Sequence, residues 1–548
     1  MLRFIVALLV LTVGTGVSAT PSRRNNSSAP TVHVKNGTYA GVYSPNYDQD
    51  FFLGVPYAQP PVDDLRFRLP ESLNQCWEDT RDAKDYSPLC VGYGLDQTFY
   101  NQSEDCLYLN VIRPAGYEQT KLPIAFWIHG GGFTNGGGGD QRYNLSFIVE
   151  QSVKIGKPII GVSINYRLSL WGFLHSNEVV GEGVTNLGLR DQRLALHWVK
   201  ENIAAFGGDP EKVTIFGESA GAASVGFHLT AYGGRNDNLF RAAILQSGNP
   251  IYYGAQNGTK RSQPYFESIV SQTGCSNARD ILQCLREIPF LTLNATIDSS
   301  IGTGSFAPTI DGDFIRTYGS EQLRKGQFVK VPIITGANSD EGASFSPMGI
   351  NTTGDFKATL SSFLPESFQD AILKAYPDDL SVNVLASLGT QRPAQPYGPQ
   401  YRRSASFWGD YYFIASRRET AQTWASHGIP VYAYRFNAIP NGVPDEVGAG
   451  HYKEIGFVFN NLDGVGWRED IKPFEGKDQS YINLAGLMSS SWASLDVYGA
   501  VPEWPRYKVD GPRDFVFDAN VTSFVESDTY REEGISLINE NARGVLHR

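Results

Sequence analysis

Gly217, Glu218, Ser219, Ala220 and Gly221 set a serine inside the pattern G-x-S-x-G. A serine hydroxyl is a weak nucleophile. It becomes a useful one when a neighbouring base takes its proton and fixed donors receive the charge that develops on the attacked carbonyl oxygen. With 57 glycines in 548 residues the pattern arises too easily by chance to decide anything alone, so its context matters. Residues 213–216 are β-branched or aromatic and read as a buried strand immediately before it, while residues 220–228 are compatible with a helix immediately after. A strand, a sharp turn and a helix in that order expose the serine Oγ beside the positive end of the helix. A second constellation succeeds the apolar run 123–128: His129, Gly130, Gly131, Gly132 and Phe133. Glycines let backbone N–H groups turn inward unobstructed. Gly131 and Gly132, joined by Ala220, are therefore the expected oxyanion donors. A further glycine cluster, 136–139, has no chemical role that the sequence assigns.

An elbow serine is followed along the chain first by an acid and then by a histidine. Of eight histidines, only His427, His451 and His547 lie far enough downstream. His547 is in the terminal tail, and His427 sits a Gly-Ile-Pro step before the apolar run 431–436, where a helix ends. His451 belongs to a loop past that run, with Gly448 and Gly450 to let it bend and hydrophobics at 455–459 to anchor the next segment, so it is the expected base. Asp340 and Glu341 both come after the apolar run 331–335 through a polar turn. Residue chemistry leaves the choice of acid open.

These residues need a scaffold. Short β-branched and aromatic runs at 123–128, 158–164, 213–216, 243–245, 331–335 and 431–436 read as strands, several apolar throughout and hence buried on both faces. Between them lie helical patterns, clearest over 189–206, with Leu194, Leu196, His197, Val199, Ile203 and Ala204 at helical spacing and Gly207–Gly208 as the stop. Strands alternating with helices predict an α/β fold with a large, mostly parallel central sheet covered on both faces. No repeat, low-complexity tract or linker divides the body, which predicts one domain over residues 31–548.

Hydrophobic residues make up 41% of the chain and charged ones 19%, which excludes disorder as the main state. The net charge of −11, without a basic run, argues against a nucleic-acid partner. Cys and His never fall at zinc-ligand spacing, and neither a metal nor a cofactor is expected. Arg3, the apolar run 4–13 and the small-residue site Val17-Ser18-Ala19 read as a signal peptide over residues 1–19, then a flexible leader over 20–30. No later run is long enough to span a bilayer, and the C-terminus lacks a lipid-anchor tail, so soluble secretion is expected. Asn25, Asn26, Asn36, Asn101, Asn144, Asn257, Asn294, Asn351 and Asn520 each open an N-x-Ser/Thr acceptor, as suits a glycosylated surface. Five cysteines permit two disulfides and leave one over. Cys275 and Cys284 bracket a short polar loop and are natural partners, whereas Cys106 could take Cys76 or Cys90.

At these residues the sequence resembles the type-B carboxylesterase family, which includes cholinesterases and fungal lipases of the α/β-hydrolase fold. The likeness rests on Phe206, Gly207, Gly208, Val213, Ile215, Gly217, Ser219, Ala220 and Gly221, and on Glu104-Asp105-Cys106-Leu107-Tyr108-Leu109-Asn110. It covers nearly the whole mature chain. The resemblance implies Glu341 rather than Asp340 as the acid, with Ser219 and His451 completing a triad, and no cofactor. It also implies a Cys90–Cys106 disulfide, leaving Cys76 as a free thiol expected to be buried. Departures narrow the substrate. No tryptophan lies between Cys90 and Cys106, where cholinesterases hold a quaternary ammonium, which demotes choline esters although Phe99 and Tyr100 offer π-faces. Segment 91–105 is short for a lid, which favours soluble or moderately sized esters over triacylglycerol at an interface, and Leu95, Phe99 and Tyr100 are expected to border the pocket entrance. The competing class, a binding or adhesion protein on the same fold, would have lost a member of the triad.

Overall fold

The computed structural model describes residues 29–256, 258–300, 306–499 and 504–548. The expected signal peptide and most of the leader lie outside the described residues, as do Asn25, Asn26 and Asn257.

The apolar runs form an eleven-stranded sheet. In chain order its strands are β1 (Val42–Ser44), β2 (Gln49–Pro56), β3 (Tyr108–Pro114), β4 (Leu122–Ile128), β5 (Ile160–Ile164), β6 (Gly208–Glu218), β7 (Ala242–Gln246), β8 (Ile333–Asn338), β9 (Val431–Phe436), β10 (Arg513–Phe517) and β11 (Phe524–Ser527). Their order across the sheet is β11-β10-β9-β8-β7-β6-β4-β5-β3-β2-β1. The block from β10 to β5 is parallel throughout, and antiparallel strands close both edges. Every residue of β4, β5, β7 and β8 is buried, as near-continuous apolarity requires of parallel strands covered on both sides. Along β4 the faces alternate: Ile124, Phe126 and Ile128 join one large hydrophobic cluster, Ala125 and Trp127 another. The α/β-hydrolase architecture expected from the resemblance is present.

Boundaries moved where tertiary pairing extended a run. The strand expected at 213–216 begins at Gly208 and continues to Glu218, paired with β4 and β7 on its two sides. The helix expected over 189–206 is α1 (Leu187–Asn202) and then a 3-10 turn, Ile203–Phe206. His197 and Ala204, assigned to its apolar face, are exposed. The helix after the elbow, α2 (Ala220–Gly234), loses helical geometry at Ala231, Tyr232 and Gly233.

Both expected disulfides are formed, Cys90–Cys106 and Cys275–Cys284. Cys76 is free but exposed, which corrects the expectation of burial. It lies in an irregular stretch, residues 70–78, with no strand or helix to fold it inward. Among the described residues no helix is long and apolar enough to cross a membrane.

Candidate active site

Ser219 stands where β6 turns into α2, with φ 55° and ψ −120°, a conformation that a residue bearing a side chain rarely adopts. The flanking glycines are required by close approach: a Cβ on Gly221 would lie 2.0 Å from the Ile128 carbonyl oxygen, and one on Gly217 2.5 Å from the Gly221 carbonyl carbon. Two backbone bonds hold the turn. The Ser219 amide donates to Gln246 O of β7 at 2.9 Å, and the Ala223 amide donates to Ser219 O at 2.8 Å.

The loop after β4 faces this elbow. Gly131 and Gly132 have φ of 96° and 63°, and the amides of Gly131, Gly132 and Ala220 find no acceptor among the described residues. A Cβ on Gly132 would point into open space. His129, stacked on Tyr166 at 4.4 Å, anchors the loop, and the Tyr166 hydroxyl donates to His129 O at 2.9 Å. Burial holds the His129 pKa down at about 4, so the ring is a neutral packing group. The second glycine cluster now has a role in packing. Gly136 N donates to Gln97 Oε1 at 2.8 Å, which ties the stapled loop 91–105 to the loop that carries Gly131 and Gly132, and Gly138 N donates to Asn165 Oδ1 at 2.8 Å.

His451 arrives on the loop after β9. Its Nδ1 lies 2.6 Å from Glu341 Oε2, and its Nε2 lies 3.2 Å from Glu218 Oε1 without hydrogen-bonding alignment. Phe413 stacks on the imidazole at 4.6 Å and 11°, while Phe345 meets it edge-on at 5.1 Å. Glu341 is fully buried in the turn after β8, where its Oε1 accepts from Asn338 N at 2.7 Å and from the Ser247 hydroxyl. Asp340, the other sequence candidate, points elsewhere: its two oxygens accept the Leu385 and Ala449 amides at 2.7 and 2.8 Å, pinning the loop that carries His451. Alone, burial would lower the His451 pKa; the carboxylates of Glu218 and Glu341 outweigh it and hold it up at about 9. Burial in turn pushes the Glu218 carboxyl well above its ordinary range, against the pull of His451.

Ser219, His451, Gly131 and Gly132 line one cavity of about 420 Å³, with Tyr253, Phe345, Tyr412 and Phe413 as its aromatic wall. Tyr412 and Phe413 come from a π-helical turn, Asp410–Ile414, between α-helices Tyr401–Gly409 and Ala415–Ser426. His427 is remote: its Nδ1 contacts Thr423 O at 2.9 Å at a helix end, and its ring meets Phe328. Of the stapled loop only Asp96 lines the cavity. Leu95 and Phe99, expected at the entrance, project into solvent, 85% and 86% exposed, while Tyr100 is half-buried. Sequence reading also missed Glu218 and Glu454. Glu218 was in view as the variable residue of the serine motif. Glu454 Oε1 accepts from Gln246 Nε2 at 3.1 Å and its Oε2 from Asn338 Nδ2 at 2.8 Å, placing a third buried carboxylate near His451.

A fixed acid–imidazole pair beside a strained serine, opposite free amides, is an arrangement suited to acyl transfer. Comparison with known proteins agrees. Residues 28–493 match the carboxylesterase family. The chain is 33% identical to Lipase 2 of Geotrichum candidum, over 89% of this chain and 91% of that one. It is 34% identical to Secreted lipase 1 of Botryotinia fuckeliana, over 94% and 93%. The solved structure of Aspergillus niger EstA superposes with a TM-score of 0.82 at 27% identity, covering 95% of this chain and 99% of that one. The chain belongs to the carboxylesterase family and is a hydrolase of carboxylic esters.

Proposed function

We propose that the enzyme is a secreted serine esterase working through an acyl-enzyme, with Ser219 as nucleophile, His451 as base and Glu341 as orienting acid. His451 in its neutral form takes the Ser219 proton as Oγ attacks the ester carbonyl carbon. The amides of Gly131, Gly132 and Ala220 receive the oxyanion, each worth about 3 kcal/mol of transition-state stabilisation. The imidazolium then gives its proton to the departing alcohol, and water repeats the sequence to release the acid. The observation that carries this reading is the 2.6 Å Glu341–His451 contact at the wall of the cavity that Ser219 lines. No cofactor or metal enters the cycle.

Secretion rests on the apolar run 4–13 and on relatives named as secreted lipases. Glycosylation is favoured at Asn101, Asn351 and Asn520, which are exposed, over Asn36, Asn144 and Asn294, which are half-buried. Residues 31–548 act as a single domain. A second reading, triacylglycerol lipase, is favoured by the exposed Leu95 and Phe99, which share a loop with the cavity-lining Asp96 and could meet a lipid surface.

An organophosphate probe, with the label then located by peptide mapping, tests the nucleophile: label on Ser219 is expected, and label elsewhere or none refutes it. Hydrolysis of chromogenic esters from acetate to long acyl chains, with and without an emulsion, separates the two readings. A Ser219→Ala control fixes the background.

A further inference from the structure

The cavity at Ser219 adjoins a second space that His451 does not line. Gly132, Tyr253 and Tyr412 also form the near wall of a second groove, about 590 Å³ in volume, that runs past Trp408, Tyr411 and Phe363. His451 does not line this groove. The leaving alcohol has to sit where the base can hand it a proton, so the part of an ester that enters a groove away from His451 is its acyl chain. That assignment rests on the serine-esterase mechanism proposed above.

At its far end the groove stops being apolar. Tyr252, Ala255, Arg261 and Ala307 are shared with a small third cavity of about 30 Å³, space for one small polar group. The helix α3 (Thr259–Gln272) begins there, and its N-terminus has no side-chain cap. An uncapped helix start carries partial positive charge and favours anions. Arg261, an exposed residue in the first turn of α3, forms no ion pair among the described residues. Two polar side chains lining the small cavity are buried without a hydrogen-bond partner among the described residues: Ser262 Oγ and His175 Nδ1, on residues 6% and 3% exposed. The acid whose charge reaches His175 is Asp311, whose carboxylate is taken up by Thr185, Asn186 and Arg190. Burial keeps the His175 pKa low and the ring neutral, able to donate one hydrogen bond.

We propose that the Arg261–Ser262–His175 corner receives a carboxylate at the distal end of the acyl chain, so that the preferred substrates are monoesters of dicarboxylic acids with an apolar spacer. The aromatic groove takes the spacer. The corner then favours a charged terminus that a purely apolar tunnel would reject.

The test compares chromogenic esters of equal acyl length, one ending in methyl and one in carboxylate, with an acetate ester as reference. Arg261→Gln should lower kcat/KM for the carboxylate-ended ester about tenfold, the value of a charge-assisted hydrogen bond in part-solvated surroundings. The methyl-ended and acetate esters should stay within about twofold. Arg261→Lys should restore part of the loss, and added salt should shrink the wild-type preference. Equal loss on both long esters, or none on either, with acetate still cleaved, overturns the carboxylate corner and leaves the esterase mechanism standing. Acetate cleavage that survives Ser219→Ala would overturn the mechanism itself.

Discussion

Two groups of buried charges lie within this fold. Beneath the edge strands β10 and β11, Arg417 and Arg418 meet Asp514 and Asp528. Arg417 reaches Asp514 at 2.9 Å and Asp528 at 2.6 Å, Arg418 reaches Asp528 at 2.7 Å, and Tyr507 donates to Asp528 at 2.8 Å. Two guanidinium groups face two carboxyl groups, and the cluster can be neutral. Around His451, by contrast, Glu218, Glu341 and Glu454 crowd one imidazole, all three carboxyl groups are buried, and the Arg142 guanidinium that also acts on Glu218 is already paired with Asp140 and Asp96. Unbalanced burial of charge raises affinity for protons, and that is where acid–base chemistry is found. Equal depth does not mean equal purpose: the first cluster fastens the sheet edge, the second keeps a proton in play.

The sharpest break of this comparison is at the reactive end. Ser219→Ala and His451→Ala should each lower kcat by roughly four orders of magnitude or more, with thermal unfolding nearly unchanged. His427→Ala should change neither property, and loss of turnover there in a folded protein would overturn the assignment of the base. Glu341→Gln should lose less than His451→Ala, because the imidazole retains some basicity without its acid. At the sheet edge the pattern reverses. Arg417→Met leaves Asp514 and Asp528 underpaired and should cost about 3–5 kcal/mol in denaturant unfolding, while the surviving folded fraction keeps its kcat.

A smaller loss of stability, about 3 kcal/mol in the chain-entropy model, is expected for Cys90→Ser, which opens the loop that Gln97 ties to Gly136, four residues past Gly132. Acyl-chain preference should change with it, whereas Cys76→Ser should be silent in both readouts. The gentlest probe is pH. Because His451 is held up at about 9, kcat/KM should rise with pH along a limb above the ordinary histidine range. Glu218→Gln removes a charge that favours the imidazolium, so the limb should move down by about one unit. A limb that stays in place would show that Glu218 carries its proton in the resting enzyme.

The grouping of Ser219, the loop 129–133 and His451 around one cavity was legible because each sits within a few residues of its own turn chemistry. Which carboxylate meets His451 was not, since Asp340 and Glu341 are neighbours whose fates are set by partners far along the chain: Leu385 and Ala449 for one, Ser247 and His451 for the other. The central strands were readable from apolarity, but β6 was extended at both ends by pairing with β4 and β7, which a local pattern cannot contain. The aromatic wall was hidden for a different reason. Tyr412 and Phe413 owe their aim to a π-helical turn, a change of helical pitch with no compositional mark. Cys76 misled because free thiols are usually buried, a tendency that does not hold for a residue in an irregular surface stretch.

The backbone at Ser219 carries one more implication. A φ of 55° with ψ of −120° is tolerated by glycine and resisted by any residue with a side chain, at a cost of about 1–3 kcal/mol. Ser219→Gly should therefore give an inert protein that melts at a higher temperature than the living enzyme, while Ser219→Ala, with its Cβ retained, should not. If so, this enzyme's reactivity is purchased with heat resistance at a single residue, and the most durable version of this molecule is one that can no longer work.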